Sequence, residues 1–228
     1  MIKQGEVTTM YDAVILAGDY YHKAEEAFAG VGPALEAAGL KVLYTTDYAS
    51  INADLLKGKR VLSILRDGME WPNGHDQPYT VWMQPQQEDA IESFVKAGGS
   101  FLPLHNAGWA YPWKGGYRRT MAGYYQGHPP IAPFSVQVVN HEHPITQGVS
   151  DYEITDEQHF LWFDHDRVTL LLKSQGQNGM ESAAGWAYQY GAGRVAYLAN
   201  GHTLEILQHP MVQRLLHNAA HWLTETVQ

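Results

Sequence analysis

A chain of 228 residues with 45% apolar content can build one substantial core, and it is read as a single domain over residues 1–228. The formal charge of −9, with only 15 Lys+Arg and no cluster of them, argues against a surface that tracks phosphates, so neither DNA nor RNA is an expected partner. The absence of cysteine excludes disulfides, thiolate catalysis and cysteine metal sites together.

Residues 1–10 carry no apolar leader segment, and nowhere do 18 apolar residues run together. A cytoplasmic protein with no membrane partner is therefore expected. The run Ala13-Val14-Ile15-Leu16-Ala17, closed by Gly18-Asp19, predicts a parallel strand buried on both faces. Over residues 22–38, Ala24, Ala27, Phe28, Val31, Leu35 and Ala38 recur at helical spacing, with Gly39 as the stop and Pro33 as a potential kink. Residues 42–44 and 61–65 repeat the strand signal, with a short helix at 53–56 between them, and residues 85–97 predict a helix opened by Pro85. This βαβα alternation gives a right-handed parallel sheet in a doubly wound, flavodoxin-like layout.

After the Gly98-Gly99 stop, residues 100–104 form an apolar strand that runs into His105 on the tight turn Asn106-Ala107-Gly108. Strand, sharp turn and small residues are how such a sheet lifts one reactive side chain above its carboxyl edge. Residues 109–130 are aromatic and glycine-rich, without helical or strand periodicity, and loops of that length are usually functional. Strands are expected at 134–139 and 168–172, some of them antiparallel. A buried strand over residues 193–200 ends in Gly201-His202, and residues 212–224 predict a closing amphipathic helix. Two strands thus deliver imidazoles, His105 and His202, to one sheet edge. Twelve histidines in all suggest that some serve chemistry.

The Gly18-to-His22 turn, Leu104-His105-Asn106-Ala107, Gly127-His128-Pro129, His143-Pro144-Ile145-Thr146-Gln147-Gly148, Asp156-Glu157, and Gly191-Ala192-Gly193-Arg194-Val195 through Gly201-His202 together resemble the ThuA-like (trehalose utilisation) family. Each piece is short, but their order and spacing cover nearly the whole chain. The resemblance implies a three-layer α/β/α flavodoxin-like fold of the class I glutamine amidotransferase type with a mainly parallel central sheet. It also implies a link to sugar metabolism, hence a small-molecule carbohydrate ligand. It does not imply a glutaminase, because the elbow that carries a cysteine in amidotransferases here carries His105, and Pro103 stands where a very small residue is normal.

The candidate catalytic set is His22, His105, Glu157 and His202, with Asp19 and Asp156 as orienters and His128 and His159 beside the substrate. A metal centre would need three or four of these groups to converge, and His105, Glu157, His159 and His202 are the candidates for a divalent ion such as zinc with an open water position. Without metal, the same imidazoles and carboxylate suit proton transfer next to a sugar carbonyl. Trp109, Trp113 and Tyr117, with Tyr111, Tyr124 and Tyr125, can stack on sugar C–H faces or form a dimer interface, which leaves a homo-oligomer open. Arg118 and Arg119 would bind a ligand anion or solvate the loop rim. His217 and His221 are read as a packed helix face and His143 as a turn residue. An enzyme that hydrolyses, eliminates or isomerises a trehalose-type or keto-sugar is the first reading. A non-catalytic sugar-binding or regulatory domain is the second, and the two part on whether His105, Glu157 and His202 share one pocket.

Overall fold

In the computed structural model, residues 10–75 and 77–225 are described, so the leader expectation at residues 1–10 lies almost wholly outside them. β1 (Ala13–Ala17) is buried along its whole length, as a strand covered on both faces must be. α1 (Ala24–Ala37) follows, continues through Pro33 and turns Ala27, Val31, Ala34 and Leu35 inward. β2 (Val42–Thr45), α2 (Ala53–Leu56), β3 (Val61–Leu65), a hairpin of β4 (Met69–Glu70) and β5 (Thr80–Val81), α3 (Pro85–Lys96) and β6 (Ser100–Pro103) continue the alternation. Then come α4 (Gly116–Met121), β7 (Gly123–Gly127), β8 (Ala132–Val138), β9 (Tyr152–Asp156), β10 (Phe160–Phe163), β11 (Thr169–Gly176), β12 (Glu181–Tyr190), β13 (Gly193–Leu198), α5 (Leu204–Leu207) and α6 (Pro210–Thr224).

The main sheet has nine strands in the order β2-β1-β3-β6-β13-β12-β11-β8-β9. From β2 to β13 the neighbours are parallel, in the 2-1-3-4-5 order of flavodoxin-like sheets. From β13 to β9 they are antiparallel. Helices α1, α5 and α6 pack with one another, and α2, α3 and α4 form a second group, which supplies the outer layers. The antiparallel end rolls back over the parallel one. β9 is the edge strand, yet the Tyr152 hydroxyl donates to Asn200 Oδ1 (3.1 Å) and the Gly201 N–H donates to Asp156 Oδ2 (3.1 Å), so its carboxyl end meets the loop after β13.

Residues 109–130 are not the unstructured loop that their composition suggested. They contain α4, six residues long and too short to show a period, and β7, which pairs with β10 in a separate two-stranded sheet. Trp186 on β12 supports this cover. Its ring stacks on Tyr197 (4.3 Å) and Phe163 (5.8 Å), and its Nε1–H donates to the Met121 carbonyl (3.0 Å).

Candidate metal centre

Four separate connections at the carboxyl edge of the sheet each deliver one side chain. After β1, Gly18 turns the chain at φ 94°, where an added Cβ would stand 2.8 Å from that of Ala24, so both conformation and space demand glycine. The Asp19 carboxylate then accepts from the Tyr21 and His22 N–H groups (2.8 and 2.9 Å), which folds the turn and aims His22 inward. After β6, His105 adopts φ 47°, an uncommon conformation for a residue with a side chain and the geometry of a strained elbow. Its carbonyl accepts from the Tyr197 hydroxyl (2.6 Å). After β13, Gly201 (φ 152°) is held by Asp156 and places His202. Glu157 follows β9 directly.

Ligand atoms of His22, His105, Glu157 and His202 all lie within 4.8 Å of one another. His22 Nδ1 is 2.8 Å from Asp19 Oδ1, and His105 Nδ1 is 2.8 Å from the Ala199 carbonyl. Both partners are acceptors, so a proton on each Nδ1 turns each Nε2 lone pair to the centre; Asn106 Nδ2, 2.9 Å from His22 Nδ1, is itself spent on Asp19. His22 Nε2 lies 3.1 Å from His202 Nδ1, which is in turn 3.4 Å from Glu157 Oε1. His105 Nε2 is fully buried without a hydrogen-bond partner, 3.3 Å from Glu157 Oε2. Lone pairs and a carboxylate at these distances make a donor set that can hold a cation. Asn106 completes the support, with its amide donating to Asp19 Oδ2 (2.7 Å).

The ionisation of these groups follows from the same geometry. Burial opposes charge on Asp19, but the hydrogen bond and charge of His22, with help from Asn106 and the Asp67 N–H, bring its carboxyl down to about 2. Burial likewise opposes charge on Glu157, yet His105, His159 and His202 hold it far below the usual carboxylate range. Burial disfavours protonated His105, but Glu157 and Asp156 outweigh it and raise its pKa. Burial lowers His202, and burial together with His105 lowers His159 to about 3. The cluster is an anion ringed by imidazoles.

At the end of β3, Asp67 is pushed up to about 7, first by burial and then by the Asp19 carboxylate. Between its ordinary 3.8 and about 7 the unfolded chain ionises while the folded one resists, so stability from this group is lost as pH rises through that window. Asp67→Asn keeps an acceptor for the Met69 N–H and removes the buried charge. The metal-free variant is expected to be more stable than the parent by about 2 kcal/mol at pH 8, with no gain near pH 3.5, in urea titrations at the two pH values.

The structure places the other candidates less centrally. His159 stacks on His105 (4.2 Å) with Nε2 3.3 Å from Glu157 Oε2, but the converging set has His22 in the place expected for it, because His159 comes from the same connection as Glu157 and packs behind the ring of His105. His128, a third exposed, points Nε2 at Glu157 Oε1 from 3.5 Å. Tyr117 does not face a ligand: it is fully buried, stacks on Tyr111 (4.2 Å) and donates its hydroxyl to the Ala107 carbonyl, because α4 turns it into the core. Trp109 is half-buried and meets the Tyr125 ring edge-on at 4.9 Å, with Tyr125 in turn against His159 at 4.6 Å. Arg118 is not a free anion-binding group either, since Asp164 takes its guanidinium through two hydrogen bonds (2.8 and 3.2 Å). Trp113 is exposed and packs with Tyr124 and Trp162. His143 caps the turn Pro144–Thr146, as its position before proline suggested, and His217 and His221 contact each other on α6.

Sequence reasoning overlooked Arg66, whose guanidinium bonds both the Gly18 carbonyl and Glu70 and so ties the β1 turn to the β4–β5 hairpin. The available signal was a charged pair, Arg66-Asp67, directly after a fully buried strand that is apolar but for Ser63. A trehalose-utilisation family model matches residues 12–223. The chain belongs to the ThuA family. Its fold is shared with ThuA-like proteins from Bacteroides uniformis (TM-score 0.71, 21% identity, 92% of this chain and 90% of that one) and Parabacteroides merdae (TM-score 0.71, 14% identity, 93% and 89%). It is also similar to part of a β-galactosidase from Rahnella sp. (TM-score 0.59, 15% identity), covering 94% of this chain and 32% of that one. A comparison with curated proteins finds no match. Within this ThuA chain, the short motifs scattered along the sequence supply the four converging groups. No helix among the described residues is long and apolar enough to cross a membrane.

Proposed function

We propose that this ThuA protein is a divalent-metal enzyme of carbohydrate metabolism, with zinc or a similar ion held by His22, His105, Glu157 and His202. The observation that carries the reading is the convergence of three imidazoles and one carboxylate, two of the imidazoles fixed by outer acceptors so that Nε2 faces inward. When bound, such an ion supplies Lewis acidity toward a sugar carbonyl or hydroxyl oxygen. The protein's own groups hold and move protons around it. His128, a third exposed, brings its Nε2 to 3.5 Å from Glu157 Oε1 on the way to solvent. Buried His159, kept neutral, walls off the far side of His105. The chemistry fits hydrolysis, elimination or isomerisation of a trehalose-type or keto-sugar. Mutual reach of His105, Glu157 and His202 favours this over a domain that only binds sugar.

Asp19 is the sharpest test of the supporting shell. Asp19→Asn removes the charge that fixes the His22 tautomer while keeping a similar shape. Zinc affinity, measured against a competing chelator, is expected to fall by roughly 10–100-fold. An unchanged affinity would show that His22 is not a ligand.

A further inference from the structure

Beside the centre lies a group of aromatic rings that the roles above leave unused. Tyr20 and Tyr21, the two residues before His22, are 61% and 46% exposed. The β4–β5 hairpin brings three more rings against them. His75 stacks on Tyr20 at 4.0 Å, Trp71 lies 4.7 Å from His75 and 6.4 Å from Tyr20, and Tyr79 flanks Trp71 at 5.5 Å. The Tyr21 hydroxyl and His75 Nε2 are 2.7 Å apart. Arg66 anchors both sides, because it bonds the Gly18 carbonyl on the turn and Glu70 on the hairpin. The Tyr21 ring meets that of His22 edge-on at 6.4 Å, so the group borders the centre.

Rings left in solvent in such a group present flat apolar faces with polar edges, a surface that matches the C–H face and hydroxyls of a pyranose. Charge narrows the choice. Among the described residues, Arg66 is committed to Glu70 and Arg118 to Asp164. A phosphorylated sugar would find the neighbouring Arg66 guanidinium already paired with Glu70. We infer that the ring cluster of Tyr20, Tyr21, Trp71, His75 and Tyr79 is the subsite for an uncharged sugar ring, seated next to the four-residue centre. The assignment rests on the metal reading only for what acts on the ring.

Calorimetric titration with trehalose and glucose, and with their 6-phosphates, tests it in the full-length protein and in Tyr20→Ala and Trp71→Ala. Tyr20 is exposed and its loss leaves the core intact; zinc affinity and circular dichroism are recorded for every form. The expected result is binding of an uncharged sugar, about tenfold weaker in each variant, with zinc affinity unchanged and the phosphates bound more weakly than their parent sugars. Equal sugar affinity in both variants, tighter binding of the phosphates, or no binding of either uncharged sugar would overturn the assignment. Equal affinity with a shift from dimer to monomer on sedimentation would reassign the rings to self-association and overturn it too. Failure of the parent protein to bind zinc, with the sugar results as expected, would remove the metal reading and leave the subsite standing.

Discussion

Replacing His105 with alanine is expected to weaken zinc binding by roughly 100–1000-fold, since one ligand of four carries about a quarter of the ~10–16 kcal/mol typical of a protein zinc site. The effect should depend on pH in a defined direction. Zinc competes with protons for its ligands, and the raised pKa of His105 places that competition above the ordinary histidine range, whereas Glu157, held far down, does not take part near neutrality. Affinity of the parent protein therefore falls as pH drops from 8 toward 6, and the fall is shallower in His105→Ala. Because His105 sits at φ 47°, its replacement also disturbs a strained elbow. His202→Ala, on a connection without that strain at the ligand itself, should lower affinity by a similar factor. Equal affinity in both variants and the parent would contradict the assignment.

Trp186→Ala is expected to cost about 3–5 kcal/mol of stability, measured by urea titration of the metal-free protein. The side chain is fully buried, and its removal opens a cavity between Tyr197 and Phe163 and leaves the Met121 carbonyl without its indole donor. The consequence reaches the centre, because Tyr197 also holds the His105 carbonyl. Trp186→Phe keeps the stacking and loses the hydrogen bond, so about 1–2 kcal/mol is expected for it. A loss below 1 kcal/mol in the alanine variant would mean that the cover made by α4 and β7 does not depend on this ring.

The parallel half of the sheet was legible in the sequence because its strands are short, largely apolar runs: β1, closed by Gly18, and the apolar stretches of β3, β6 and β13 all read this way. The same logic located His105 and His202, each at the end of such a run. The antiparallel half was less visible. β12 mixes small and aromatic residues over ten positions, and its burial comes from tertiary stacking around Trp186 rather than from an alternating pattern. Glu157 was legible as a candidate only beside the family resemblance, since its arrival at His105 depends on the roll of an edge strand over the sheet. Sequence proximity to Glu157 makes His159 one candidate among four, but it cannot reveal that the ring stacks on His105. Tyr117 was taken for a ligand-facing ring because a six-residue helix carries too little periodicity to reveal its inward face. The rings of the β4–β5 hairpin gave no signal at all, as their value lies in meeting Tyr20 and Tyr21 across 50 residues of chain.

The measurement that bears most directly on the central claim is zinc content together with X-ray absorption on protein equilibrated with one equivalent of zinc. The account predicts one ion per chain with three nitrogen neighbours and at least one oxygen at about 2.0–2.1 Å, and loss of that signature in a protein carrying His22→Ala, His105→Ala and His202→Ala. Less than a tenth of an equivalent bound by the parent protein, or the same coordination retained by the triple variant, would contradict it.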